Sequence, residues 1–103
     1  MAHKTYNGVA VEVNEEGYFV NPQQWTREMA PEIAKEESIE LTGKHYEVLM
    51  YLRDRYAKGE VLTIRGLGKS GITDIKGLYE LFPGGPLKKS SRIAGIPKPV
   101  SCV

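Results

Sequence analysis

The chain has 103 residues and a single cysteine, Cys102, one place from the end. That length supports one domain with one modest core, and a lone thiol excludes an intrachain disulfide scaffold. The net charge is +1, but it is unevenly spread: residues 1–60 hold seven basic and eleven acidic side chains, residues 61–103 seven and two. A basic C-terminal part suits an anionic partner, or is simply a solvated tail. Cys102, His3 and His45 are the only soft metal ligands and none is closely paired, so no metal site or cofactor is expected. No apolar run approaches the roughly 20 residues of a membrane span, and Met-Ala-His-Lys-Thr lacks a signal peptide's apolar stretch. A soluble, cytoplasmic protein without membrane contact is expected.

Taken in chain order, residues 5–20 read as two short strands. Asn7-Gly8 signals a tight reversal, Val9, Val11 and Val13 alternate as one apolar face, and Asn14 to Gly17 turn the chain into Tyr18-Phe19-Val20. Asn21-Pro22 has the form of a helix start, opening a short turn through Trp25. Thr26 is placed to cap a segment with Met29, Ile33 and Ala34 on one side, and Pro31 lies in its first turn or kinks it. Thr42 caps a central helix over Gly43 to Ala57, whose His45, Leu49, Leu52 and Tyr56 form a core-facing stripe widened by Tyr46, Val48 and Met50. A short helix over Ile64 to Lys69, a break at Ser70-Gly71, and an amphipathic helix bearing Ile75, Leu78, Tyr79 and Phe82 make a helix-turn-helix, which Pro83 to Pro86 end.

Beyond Leu87 the core signals fade. Ser90 to Ala94 read as one helical turn ended by Gly95, and Ile96-Pro97-Lys98-Pro99-Val100 must be extended. The chain thus divides into a hairpin plus helical core over 1–86 and an arm over 87–103 with a thiol near its tip. Measured from Gly95, that thiol reaches about 23 Å at 3.3 Å per residue.

Cys102 is the one strong nucleophile, either a working thiol or an incidental residue. Its ordinary pKa near 8.5 leaves about 3% thiolate at pH 7. The terminal carboxylate of Val103 opposes ionisation, and Lys98 or Arg92 at similar range would offset it. Docking into a partner's electropositive cleft would favour the thiolate further, so its reactivity would be conditional on binding. A stiff Pro97-Lys98-Pro99 segment limits the entropy lost on insertion. Two other readings are weaker. Gly66 to Ser70 lacks the spacing of a phosphate loop, and the second helix of the helix-turn-helix offers DNA one base-reading cation, Lys76, beside the acidic Asp74, with Lys69 as a further candidate contact.

Glu16-Gly17-Tyr18, Trp25, the helix with His45 and Tyr51-Leu52-Arg53-Asp54, Tyr79 to Pro86, and above all Arg92-Ile93-Ala94-Gly95-Ile96-Pro97-Lys98-Pro99-Val100-Ser101-Cys102-Val103 resemble the DsrC/TusE sulfur-relay family over residues 9–103. The resemblance implies a small, mainly α (α+β) fold: a helical bundle with a helix-turn-helix, an N-terminal β-hairpin and a flexible C-terminal arm. It implies that Cys102 carries sulfur as a persulfide from an upstream sulfurtransferase to an acceptor protein, with Arg92, Lys98, Pro97 and Pro99 positioning the arm. Members resembling the gamma subunit of dissimilatory sulfite reductase carry a second cysteine eleven residues before the penultimate one, where this chain has Ser91. Their two-thiol cycle is thus closed to this chain. The single-thiol members pass sulfur towards thiolation of the tRNA wobble uridine, and the resemblance favours that branch. An accessory role beside sulfite reductase and a DNA-binding role are the alternatives.

Overall fold

The hairpin is built on the reversal that the sequence marks. In a computed structural model that describes residues 2–99, β1 (Ala2–Tyr6) pairs antiparallel with β2 (Val9–Val13), Ala2 opposite Val13 and Tyr6 opposite Val9. Asn7 and Gly8 both have positive φ, 50° and 76°, as a type I′ turn requires. The first strand therefore begins before residue 5. The segment 18–20 contributes only a single bridge, Phe19 to Val13, and is no strand. Tyr6, Val11 and Val13 are buried, whereas Val9 is 47% exposed.

Asn21 accepts the Gln23 N–H and opens a 3-10 turn, Pro22–Gln24, while the Gln24 side chain accepts the Glu12 N–H and ties the turn to β2. A second 3-10 turn, Arg27–Met29, leads into α1 (Ala30–Glu36). Thr26 makes no side-chain cap, and Pro31 sits in the first helical turn without kinking it. Next come α2 (Gly43–Ala57), α3 (Ile64–Gly68), α4 (Ile75–Leu81) and α5 (Pro86–Ile93). Thr63 and Asp74 cap α3 and α4 by accepting the N–H groups of Gly66 and Gly77.

The stripe of α2 buries His45, Val48, Leu49 and Leu52, but Met50 and Tyr56 face solvent. On α4 only half the expected stripe is covered: Leu78 and Phe82 are buried, Ile75 and Tyr79 about half exposed. Periodicity says which residues share a face, and here too few elements surround α4 to cover all of it.

The largest departure is α5. Instead of one turn after a fading core, Pro86 starts a helix of eight residues that packs against α1, α2 and α4. Leu87, Ser90, Ser91, Ile93, Ala94 and Ile96 are at most 1% exposed. The Pro83 to Pro86 stop is at once the next start, since proline at the first helical position loses no hydrogen bond. A buried face made partly of serine escapes a search for apolar residues.

Candidate functional site

Cys102 lies outside the described residues; the structure places the root from which its arm departs. α5 ends in a Schellman motif: Gly95, at φ +70°, donates its N–H to Arg92 O, and Ile96 donates to Ser91 O. A Cβ on Gly95 would collide with the Trp25 ring, so both backbone and neighbour require glycine. Trp25 is 8% exposed and its indole N–H donates to Ile93 O at 2.9 Å, backing the turn with an aromatic wall.

Arg53 of α2 closes this assembly. Its guanidinium lies 4.3 Å over the Trp25 ring and donates to Ala94 O at 2.8 Å and to Pro22 O at 2.9 Å. One half-buried side chain thus joins α2, the 3-10 turn and the arm root. Burial draws its pKa down, and among the described residues it has no carboxylate partner. Neither Arg53 nor Trp25 is assigned a role by sequence reasoning. The available signal is spacing: Arg53 falls four residues after Leu49, on the core-facing side of α2, where a charge needs a reason.

Arg92 is 8% exposed and forms ion pairs with Glu36 and with Glu37, the latter at 3.0 Å. It anchors α5 to α1, and these carboxylates take up its charge. Tyr6 donates to Glu36 at 3.0 Å, and Lys4 pairs with the same carboxylate at 3.1 Å. Burial opposes the ionisation of Glu36, but hydrogen bonds from Arg92, Lys4 and Tyr6 outweigh it and hold the carboxyl below its ordinary range. Burial first, then Glu36, pushes the Tyr6 phenol up to about 12.

Past the turn, Ile96 and Pro99 are buried and Pro97 half-buried, and Lys98 pairs with Glu16 at 2.9 Å across to the turn after β2. Ser91 is fully buried, and among the described residues its hydroxyl has no hydrogen-bond partner. His45 spends both ring nitrogens on structure: Nδ1 accepts the Thr42 N–H and Nε2 donates to Leu81 O at 2.8 Å, edge-on to Phe82. Lys69 and Lys76 are exposed on the helix-turn-helix, and so is Asp74, whose carboxylate caps α4.

Two open grooves border the arm root and share Tyr56. One, about 380 Å³, is lined by Pro22, Gln23, Arg53 and Ile96 among others; the second, about 200 Å³, by Val61, Leu62, Pro97 and Pro99 among others.

Residues 5–103 match the protein family described as DsrC like protein. A sulfurtransferase TusE homolog of Haemophilus influenzae is 41% identical, over 94% of this chain and 96% of the relative. Sulfurtransferase TusE of Escherichia coli K12 is 39% identical, over 95% and 97%. Among solved structures, the oxidised gamma subunit of dissimilatory sulfite reductase (DsrC) from Archaeoglobus fulgidus superposes with a TM-score of 0.85 at 33% identity, covering 99% of this chain and all of that one. DsrC of Allochromatium vinosum gives a TM-score of 0.83 at 34% identity, covering 98% and 97%.

Proposed function

This chain belongs to the DsrC family, and from that premise we propose that it is a sulfur carrier whose working atom is the Cys102 thiolate. The thiolate attacks the outer sulfur of a donor persulfide, the donor's S–S bond breaks, and the donor leaves as a thiolate while Cys102 keeps the sulfur as its own persulfide. Delivery repeats the exchange, with Cys102 as the leaving thiolate. Neither step needs an external oxidant or reductant. The observation that carries this reading is the full-length match to sulfurtransferases of the TusE type, in a chain whose one thiol lies three residues beyond a seated arm root.

In this reading Arg92 anchors the helix that launches the arm. Pro97 and Pro99 fix its direction, and Lys98 holds it beside Glu16. The donor is an upstream sulfurtransferase and the acceptor a second protein, in the branch that ends in tRNA 2-thiolation. Ser91 supports that branch over sulfite reduction, because a hydroxyl can neither form a persulfide nor close an internal disulfide on Cys102. Incubation with a small persulfide donor followed by intact-mass measurement tests the carrier role. Wild type should gain the mass of one sulfur atom and Cys102→Ser none; no gain on wild type, or the same gain on both, would refute it.

A further inference from the structure

We propose that the face around the arm root, centred on Tyr56 and Val61, is where the sulfur-accepting protein docks, placing an apolar side chain in the groove beneath the arm and a carboxylate against Arg53. This rests on the carrier reading above.

The argument starts from reach. With Ile96 and Pro99 buried and Lys98 paired to Glu16, the seated chain extends to residue 99. Cys102 then lies only three positions beyond Pro99, about 10 Å of fully extended chain instead of the 23 Å available from Gly95. An acceptor must therefore bring its reacting atom close to Pro99, and its surface must meet whatever flanks that residue. What flanks it is open and largely apolar, with Glu60 and Lys98 the charged residues of its lining. Val61 is 72% and Tyr56 40% exposed, and both line the groove that Pro97 and Pro99 overhang. A contiguous apolar patch at this spot differs from scattered exposed residues in having a reason to be covered. Ile75 and Tyr79 of α4, comparably exposed, line neither groove.

Charge completes the match. Nearby Arg55 and Glu60 pair with each other, as do Lys58 and Asp54. Among the described residues, Arg53 alone offers the adjoining groove a partly desolvated cation whose partners are carbonyl groups and the Trp25 ring rather than a carboxylate. A carboxylate on the arriving protein would supply the missing countercharge, and an apolar anchor beside it is the usual composition of an interface centre.

The test loads Cys102 with 35S from labelled polysulfide and follows its discharge in two settings. One is a desalted extract of cells that make the protein, where label is counted on protein and tRNA; the other is dithiothreitol. Val61→Glu should slow discharge to macromolecules by roughly tenfold or more, Val61→Lys by less, and Ile75→Glu hardly at all. All three should match wild type with dithiothreitol and in thermal midpoint. Wild-type rates for Val61→Glu in the extract would overturn the surface while leaving the carrier reading intact. Equal losses for the Glu and Lys variants would overturn the carboxylate. Failure of wild type itself to pass label to any macromolecule would overturn the carrier reading and the surface together.

Discussion

Single side chains decide the arm root and the seam between the hairpin and α1, and four of them make separable predictions. Arg53 donates three hydrogen bonds to carbonyl groups. Bonds to a charged group are worth about 1.5–3 kcal/mol and their loss strands the acceptors, so Arg53→Met should cost about 3 kcal/mol in urea unfolding. Ser91 is the opposite case. Its buried hydroxyl is unpartnered among the described residues, so Ser91→Ala should leave stability unchanged or raise it by about 1 kcal/mol in the same measurement. Tyr6 gives a pH signature. Its pKa is raised from 10.0 to about 12, so its contribution to stability is complete below pH 10 and is lost as the pH climbs through 12. Glu36 works in the other direction: its pKa is lowered from 4.5, so its contribution is complete above that value and fades as the pH falls below it. Unfolding measured against pH should show Tyr6→Phe flattening the alkaline limb between pH 10 and 12, and Glu36→Gln the acid limb.

Helix ends show what sequence carries at the next scale. α1, α2 and α5 all finish in Schellman motifs, at Ser38, Gly59 and Gly95, each with the paired N–H donations that define the turn. Gly59 and Gly95 are readable as stops because glycine adopts positive φ freely. Ser38, at φ 59°, is not, because a serine carries no such mark. Left-handed backbone costs a residue with a Cβ about 1–2 kcal/mol, so Ser38→Gly should stabilise the protein by about 1 kcal/mol. Gly95→Ala should do the reverse, by more than about 2 kcal/mol, since the new methyl collides with Trp25 as well as straining the turn. A red shift in the fluorescence of the one tryptophan would report the displaced indole. α2 was legible to its last residue because Thr42, an apolar stripe and Lys58-Gly59 agree about its limits. α5 was not, because Ser90 and Arg92 are buried through polar means: Ser90 Oγ donates to Pro86 O, and Arg92 meets Glu36 and Glu37. Apolar periodicity is blind to a face of that kind.

On the scale of the whole molecule, the fold seats the chain as far as Pro99 through two arginine junctions. The hairpin, α1 and α5 meet at Arg92, and α2, the 3-10 turn and the arm root meet at Arg53. The ending Gly95 to Val103 made the family legible. The seating was not, because it depends on long-range partners, such as Arg53 with Pro22 and Lys98 with Glu16, that no local spacing encodes. The central claim remains that Cys102 carries sulfur. Trypsin cuts after Arg92 and spares Lys98-Pro99, so a single peptide, 93–103, holds the thiol. The chain should be isolated from its own cells after rapid alkylation and that peptide examined by tandem mass spectrometry. The account predicts a fraction bearing one extra sulfur on Cys102 beneath the alkyl group; finding only the singly alkylated thiol, under conditions where other persulfides in the same cells survive, would contradict it.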